Sequence, residues 1–109
     1  MELASSQQGN TVVIALKGRM DALSAPQFEK ECAVWLDKGV ARVVADLSGL
    51  EYISSAGLRS ILAMAKKLKS ADGHIRVCRL SGVVQEVFTM AGFATMFTLY
   101  ASVEDALAG

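Results

Sequence analysis

Two adjacent hydroxyls, Ser54 and Ser55, are the side chains best placed to do chemistry in this sequence. They stand between a short apolar run, Arg42-Val43-Val44-Ala45, and an amphipathic stretch that begins at Leu58. A serine at a helix start commonly accepts a hydrogen bond from a free first-turn N–H. Capping accounts for one hydroxyl and leaves the other unassigned. It also leaves Ala56-Gly57 unexplained. Glycine inside a helix costs about 1 kcal/mol relative to alanine, so Gly57 implies that something approaches the backbone there. The N-terminus of a helix suits anions, because its N–H groups are free and its dipole end is positive. A phosphate on Ser54 or Ser55 would be held there without unfolding the chain.

Other chemistries are poorly provided for. Ser55 has the strand-turn-helix setting of a hydrolase nucleophile, but Ile53 stands where Gly-x-Ser-x-Gly needs its first glycine. The only histidine, His74, follows Asp72-Gly73 and reads as a turn residue with no orienting acid. There is no phosphate loop, dinucleotide fingerprint or metal-ligand spacing, so neither catalysis nor a metal or other cofactor is expected. Cys32 and Cys78 stand in apolar company and read as buried free thiols, which fits a reducing cytoplasm.

The elements that position the serines follow from periodicity. Arg42 to Ala45 suits a strand buried on both faces, and Asp46-Leu47-Ser48-Gly49 reads as the turn that ends it. Leu58, Ile61, Leu62, Ala65 and Leu68 form one helical stripe, with Arg59, Ser60, Lys66, Lys67 and Lys69 mostly off it. Glu2 to Ser6 and the alternating Thr11 to Lys17 predict a hairpin around Gln7-Gln8-Gly9-Asn10. Gly18-Arg19-Met20-Asp21 reads as a turn. A helix is predicted from Ser24, a candidate N-cap, to Lys38, with Pro26 in its first turn and Phe28, Cys32 and Trp35-Leu36 on its apolar stripe. Ile75 and Val77 mark a strand, Val83 to Ala91 a helix with Val84, Val87, Phe88 and Ala91 inward, and Met96 to Leu99 a last strand. Ser102-Val103-Glu104-Asp105 opens a small terminal helix. The order β-β-α-β-α-β-α-β-α predicts an α/β fold with a largely parallel sheet.

The bulk properties narrow the function. At 109 residues the chain predicts one domain over 1–109. With 52% hydrophobic and 20% charged residues it should fold. Eleven basic and 11 acidic residues give zero formal charge, which excludes the basic footprint of a nucleic-acid binder and suits docking on a protein. No run is long enough to insert in a membrane, and MELASSQQ does not read as a signal peptide.

The stretch DLSGLEYISSAGLRSIL, from Asp46 to Leu62, resembles the signature of the anti-sigma factor antagonists, the small bacterial STAS domains. Their pattern is a strand ending in Asp-hydrophobic-Ser, then Asp-Ser-Ser/Thr-Gly-Leu opening a helix, whose first serine is phosphorylated. Matching on Gly57-Leu58 places the phosphoacceptor at Ser55. Ser54 stands for the usual aspartate and remains the alternative acceptor, and Ala56 stands for the second hydroxyl residue. The resemblance implies a mixed, mostly parallel sheet of four to five strands with about four helices mainly on one side. It also implies that Asp21, in Gly18-Arg19-Met20-Asp21, lies near the serine at the carboxyl end of the sheet. The expected docking surface comprises Asp21, Ser54, Ser55, Ala56, Gly57 and Arg59. The implied partners are an anti-sigma factor that is also a serine kinase, and a PP2C-type phosphatase. The alternative use of the fold is a constitutive STAS subunit of a lipid-transporting ABC complex, which needs no phosphoacceptor.

Overall fold

Val12, Ile14 and Leu16 alternate along one strand, and all three are buried on the same face. In the computed structural model, which describes residues 1–109, this strand is β2 (Thr11–Met20), preceded by β1 (Glu2–Gln8). The chain continues through α1 (Ala25–Asp37), β3 (Arg42–Ile53), α2 (Ser55–Ser70), β4 (His74–Cys78) and α3 (Gly82–Met90). It ends with α4 (Phe93–Met96), β5 (Leu99–Tyr100) and α5 (Val103–Ala108). The strands form one sheet in the order β1-β2-β3-β4-β5. Only β1 and β2 are antiparallel.

The two faces of the sheet are covered unequally. On one, β2, β3 and β4 join Phe28 and Cys32 of α1, Ile61, Met64 and Leu68 of α2, and Phe88, Phe93 and Phe97 in a core of 23 buried residues. On the other, Val13, Val44 and Cys78 form a cluster of four with Ala106 of α5, with the partly buried Tyr100, Val103 and Leu107 packed against it. Cys32 and Cys78 therefore lie in separate clusters as buried free thiols.

Several boundaries differ from the sequence reading, each for a local reason. β2 runs on through Gly18-Arg19, and β3 runs through Asp46-Leu47-Ser48-Gly49. These turn-forming residues are absorbed by register shifts between Ala15 and Lys17 and between Gly18 and Arg19. Gly18 has φ +99°, and Asp46 Oδ1 accepts the Ser48 N–H (3.1 Å) inside the strand. His74 is the first residue of β4 and not a turn residue. The stretch after Gly92 forms the short α4, so the last strand starts at Leu99 and not Met96. Ala91 is exposed, and Val87 only packs against the edge of the core. Leu62 and Ala65 flank the buried arc of α2, whose middle is Gly57, Ile61, Met64 and Leu68. No helix is long and apolar enough to cross a membrane.

Candidate functional site

The paired register of β2 and β3 ends at Met20 opposite Ile53. Asp21 and Ser54 therefore leave the sheet side by side, at its carboxyl edge. The Ser54 N–H donates to the Met20 carbonyl (2.9 Å), which ties the two strand ends together. Ser54 is extended, with φ −91° and ψ 174°, and its Oγ accepts the Gly57 N–H (3.2 Å). Its carbonyl takes the Leu58 N–H (3.0 Å). Ser54 is thus the N-cap of α2. Ser55 is the first helical residue, is exposed, and its hydroxyl has no hydrogen-bond partner within the chain.

Gly57 is buried for a reason internal to the chain. A Cβ there would stand 2.7 Å from Ile53 Cγ1 and 2.8 Å from the Met20 carbonyl oxygen. The close approach that glycine permits is that of α2 to the ends of β2 and β3. Ala56 beside it is half-buried. Arg59 is exposed one turn beyond Ser55 and has no carboxylate partner, since the ion pairs are Lys17–Glu2 and Arg79–Asp46.

Asp21 organises the neighbouring turn. Its Oδ1 accepts the N–H groups of Leu23 (3.0 Å) and Ser24 (3.1 Å). In return the Asp21 N–H donates to Ser24 Oγ (2.9 Å), whose own proton goes to the Arg19 carbonyl (2.7 Å). This is the reciprocal logic of a capping box, so Ser24 supports the start of α1 without capping it by its own side chain. The Ser24 N–H above all holds the Asp21 carboxyl below the ordinary carboxylate value; burial, the next-largest influence, opposes it, and the Leu23 N–H, the Ser24 hydroxyl and the Arg19 charge add to the lowering.

Two features of this edge escaped the sequence reading. Leu23 is 91% exposed beside the Asp21 turn. A lone leucine between turn residues was the available signal. Arg19 stacks over the Tyr52 ring at 4.2 Å. These residues are register partners across β2 and β3, a relation that local sequence does not carry.

The chemical capacity of the edge is that of an acceptor. No histidine or carboxylate hydrogen-bonds Ser55, so a base to activate it must come from outside. His74 stands at the other end of the sheet. Cys32 and Cys78 are held as thiols, because burial pushes them up to about 12 and about 11. No three His, Cys, Asp or Glu side chains converge as a metal site would require.

Residues 2–106 match the family model of the STAS domain. A protein of Bordetella bronchiseptica named as a candidate anti-sigma factor antagonist, BtrV, is 41% identical over 108 residues, covering 99% of this chain and 93% of its own. The crystal structure of an anti-sigma factor antagonist from Mycobacterium paratuberculosis superposes with a TM-score of 0.85 at 25% identity, over 98% of this chain and 91% of that one. The anti-sigma factor antagonist SpoIIAA shares the fold at 21% identity, with a TM-score of 0.84 over 97% of this chain and 93% of that one in its unphosphorylated form. SpoIIAA has also been solved phosphorylated, with a TM-score of 0.76 at 20% identity over 98% of this chain and 97% of that one.

Proposed function

The chain belongs to the STAS-domain family, and from that membership we propose that it is an anti-sigma factor antagonist whose docking surface is switched by phosphorylation of Ser55. Unphosphorylated, it binds an anti-sigma factor that is also a serine kinase, and the sigma factor is released. Phosphorylation reverses this, and a PP2C-type phosphatase resets it.

One observation carries the choice of residue. Ser54 gives its Oγ to the Gly57 N–H, while Ser55 keeps an exposed, unengaged hydroxyl at the same helix start. A phosphate there meets the free N–H groups of the first turn and the positive dipole end, with Arg59 one turn on. The domain should stay folded, as the phosphorylated form of SpoIIAA does on the same fold. The docking surface, however, gains about two negative charges. Burying them against a partner without cationic compensation is costly. Asp21, Ser54, Ala56 and Arg59 form the rest of the surface, and Gly57, buried beneath it, lets the helix start approach the strand ends.

The test is phosphate incorporation by the serine kinase that co-purifies from the native cell, with calorimetry on the complex. Ser55→Ala should bind and resist phosphorylation, Ser54→Ala should still be phosphorylated, and Ser55→Asp should bind weakly. Full incorporation into Ser55→Ala would move the site to Ser54. A protein that no serine kinase of its cell modifies would be a constitutive subunit instead.

A further inference from the structure

β5 pairs with only the last two residues of β4, Val77 and Cys78. His74, Ile75 and Arg76 therefore have a strand partner only on the β3 side. The hydrogen bonds fix which groups face the open side. Val77 N–H donates to the Thr98 carbonyl (3.4 Å) and Arg79 N–H to the Tyr100 carbonyl (3.0 Å), both toward β5. His74 N–H donates to the Ala41 carbonyl (3.1 Å) in the opposite direction. With the two-residue period of a strand, the Ile75 N–H points to the open edge. Beside it is a cavity of about 290 Å³, walled by Gly73, Ile75, Met96, Phe97, Ala65 and Lys69. An extension of β5 at its amino end would have filled this space, but the residues before it form α4.

We propose that this open edge of β4 receives a short extended segment of a partner protein, added as a strand, with an acidic side chain on Lys69. An extended backbone matches the edge because it supplies the carbonyl and N–H that the Ile75 main chain lacks. The three residues His74 to Arg76 that lack a partner on this side span about 10 Å of strand, enough for roughly three added residues. The charge sets the partner's chemistry: Lys69 is exposed at the mouth, and no carboxylate lines the cavity. A second copy of this chain pairing by the same edge would bring Lys69 toward Lys69, which charge complementarity disfavours. The segment would dock at the amino end of the parallel strands, away from Ser55, so this inference stands apart from the phosphorylation switch.

The probe is the peptide acetyl-Glu-Val-Glu-Val-Glu-amide, titrated into the full ¹⁵N-labelled chain, with its lysine counterpart as control. The acidic peptide should shift the amides of Gly73, His74, Ile75 and Phe97 and slow hydrogen exchange at Ile75. Lys69→Ala should weaken it about two- to fivefold, the worth of one exposed charge pair. Lys69→Glu, with unchanged melting, should reverse the preference toward the lysine peptide. Equal shifts with both peptides, or shifts centred on Ser55 or α3, would overturn the proposal. So would concentration-dependent protection of Ile75 without peptide, which would identify a second copy as the occupant.

Discussion

Ser54 lies one residue before α2 in extended backbone, so its Oγ can turn back onto the Gly57 N–H, while Ser55 already has helical geometry. Equivalent side chains should then respond differently to removal. Ser54→Ala is expected to cost about 1 kcal/mol, the worth of an N-cap. Ser55→Ala should be neutral or slightly stabilising, because alanine is the better helix former by a few tenths of a kcal/mol. Urea denaturation at constant m separates the two, and equal losses would show that both hydroxyls cap. Gly57→Ala sets helix propensity against packing. Propensity gains about 1 kcal/mol, but the added methyl meets Ile53 Cγ1 at 2.7 Å and the Met20 oxygen at 2.8 Å. Overpacking of this kind costs about 1–3 kcal/mol, so a net loss is expected, and a raised melting temperature would contradict it. His74 titrates in a third way. Burial first, then Arg76 and Arg42, lower its pKa below the ordinary 6.5. The unfolded chain therefore takes the proton more readily than the folded one. This contribution to stability is complete above pH 6.5 and is lost as the pH falls below it. His74→Gln should flatten the stability profile between about pH 7 and pH 5, and an unchanged slope there would remove His74 as its source.

α2 shows how far spacing alone reaches at the scale of an element. Leu58, Ile61 and Leu68 are buried as their spacing predicts, but the middle of the arc is occupied by Gly57 and Met64, with Ser60 also buried, and Leu62 lies on the flank. Ser60 looks polar in sequence, yet it sits against α1, its hydroxyl placed on Glu29 Oε2 (3.0 Å) and the Ala25 carbonyl (3.4 Å). A serine that bonds across a helix pair disguises the true phase of the stripe. Ile61→Ala should cost about 2–5 kcal/mol. Leu62→Ala should cost less than half as much, and Lys66→Ala should stay within about 0.5 kcal/mol of the parent. A Leu62→Ala loss as large as that of Ile61→Ala would return the centre of the arc to Leu62. The strands carry the same lesson. Gly18, Asp46 and Gly49 have the character of turn residues, and only the register between β2 and β3 shows that they continue the sheet. The helix start at Ser54-Ser55-Ala56-Gly57 was legible because caps and glycines act locally. Asp21 could be tied to it only through the family pattern, and Arg19 over Tyr52 only through register, since both depend on strands far apart in sequence.

The unequal covering of the sheet governs how the whole molecule opens. On one face, helices close over a cluster of 23 buried residues that includes Cys32. On the other, Cys78 belongs to a cluster of four with Val13, Val44 and Ala106, under the six-residue α5. α5 is held by the Arg76 Nη1 bond to the Ala106 carbonyl (2.9 Å), by the Ser102 cap on the Asp105 N–H (3.0 Å), and by the partly buried Tyr100, Val103 and Leu107. Segments with few buried contacts open locally at lower free energy than the core unfolds. Cys32 and Cys78 are 1% and 0% exposed and both hold their protons tightly, so in the closed state neither reacts. Modification by a maleimide therefore reports opening. Cys78 should be labelled first, at a rate that changes little with low urea, because lifting α5 exposes little surface. Cys32 should follow only with global unfolding and depend steeply on urea. Arg76→Ala and Leu107→Ala should speed labelling of Cys78 about fivefold for each kcal/mol they remove from α5 while leaving Cys32 unchanged. Mass spectrometry of peptides from a timed labelling series distinguishes the two thiols. If both are modified at one rate with one urea dependence, α5 is part of the main cooperative unit, and the smaller cluster has no independent opening.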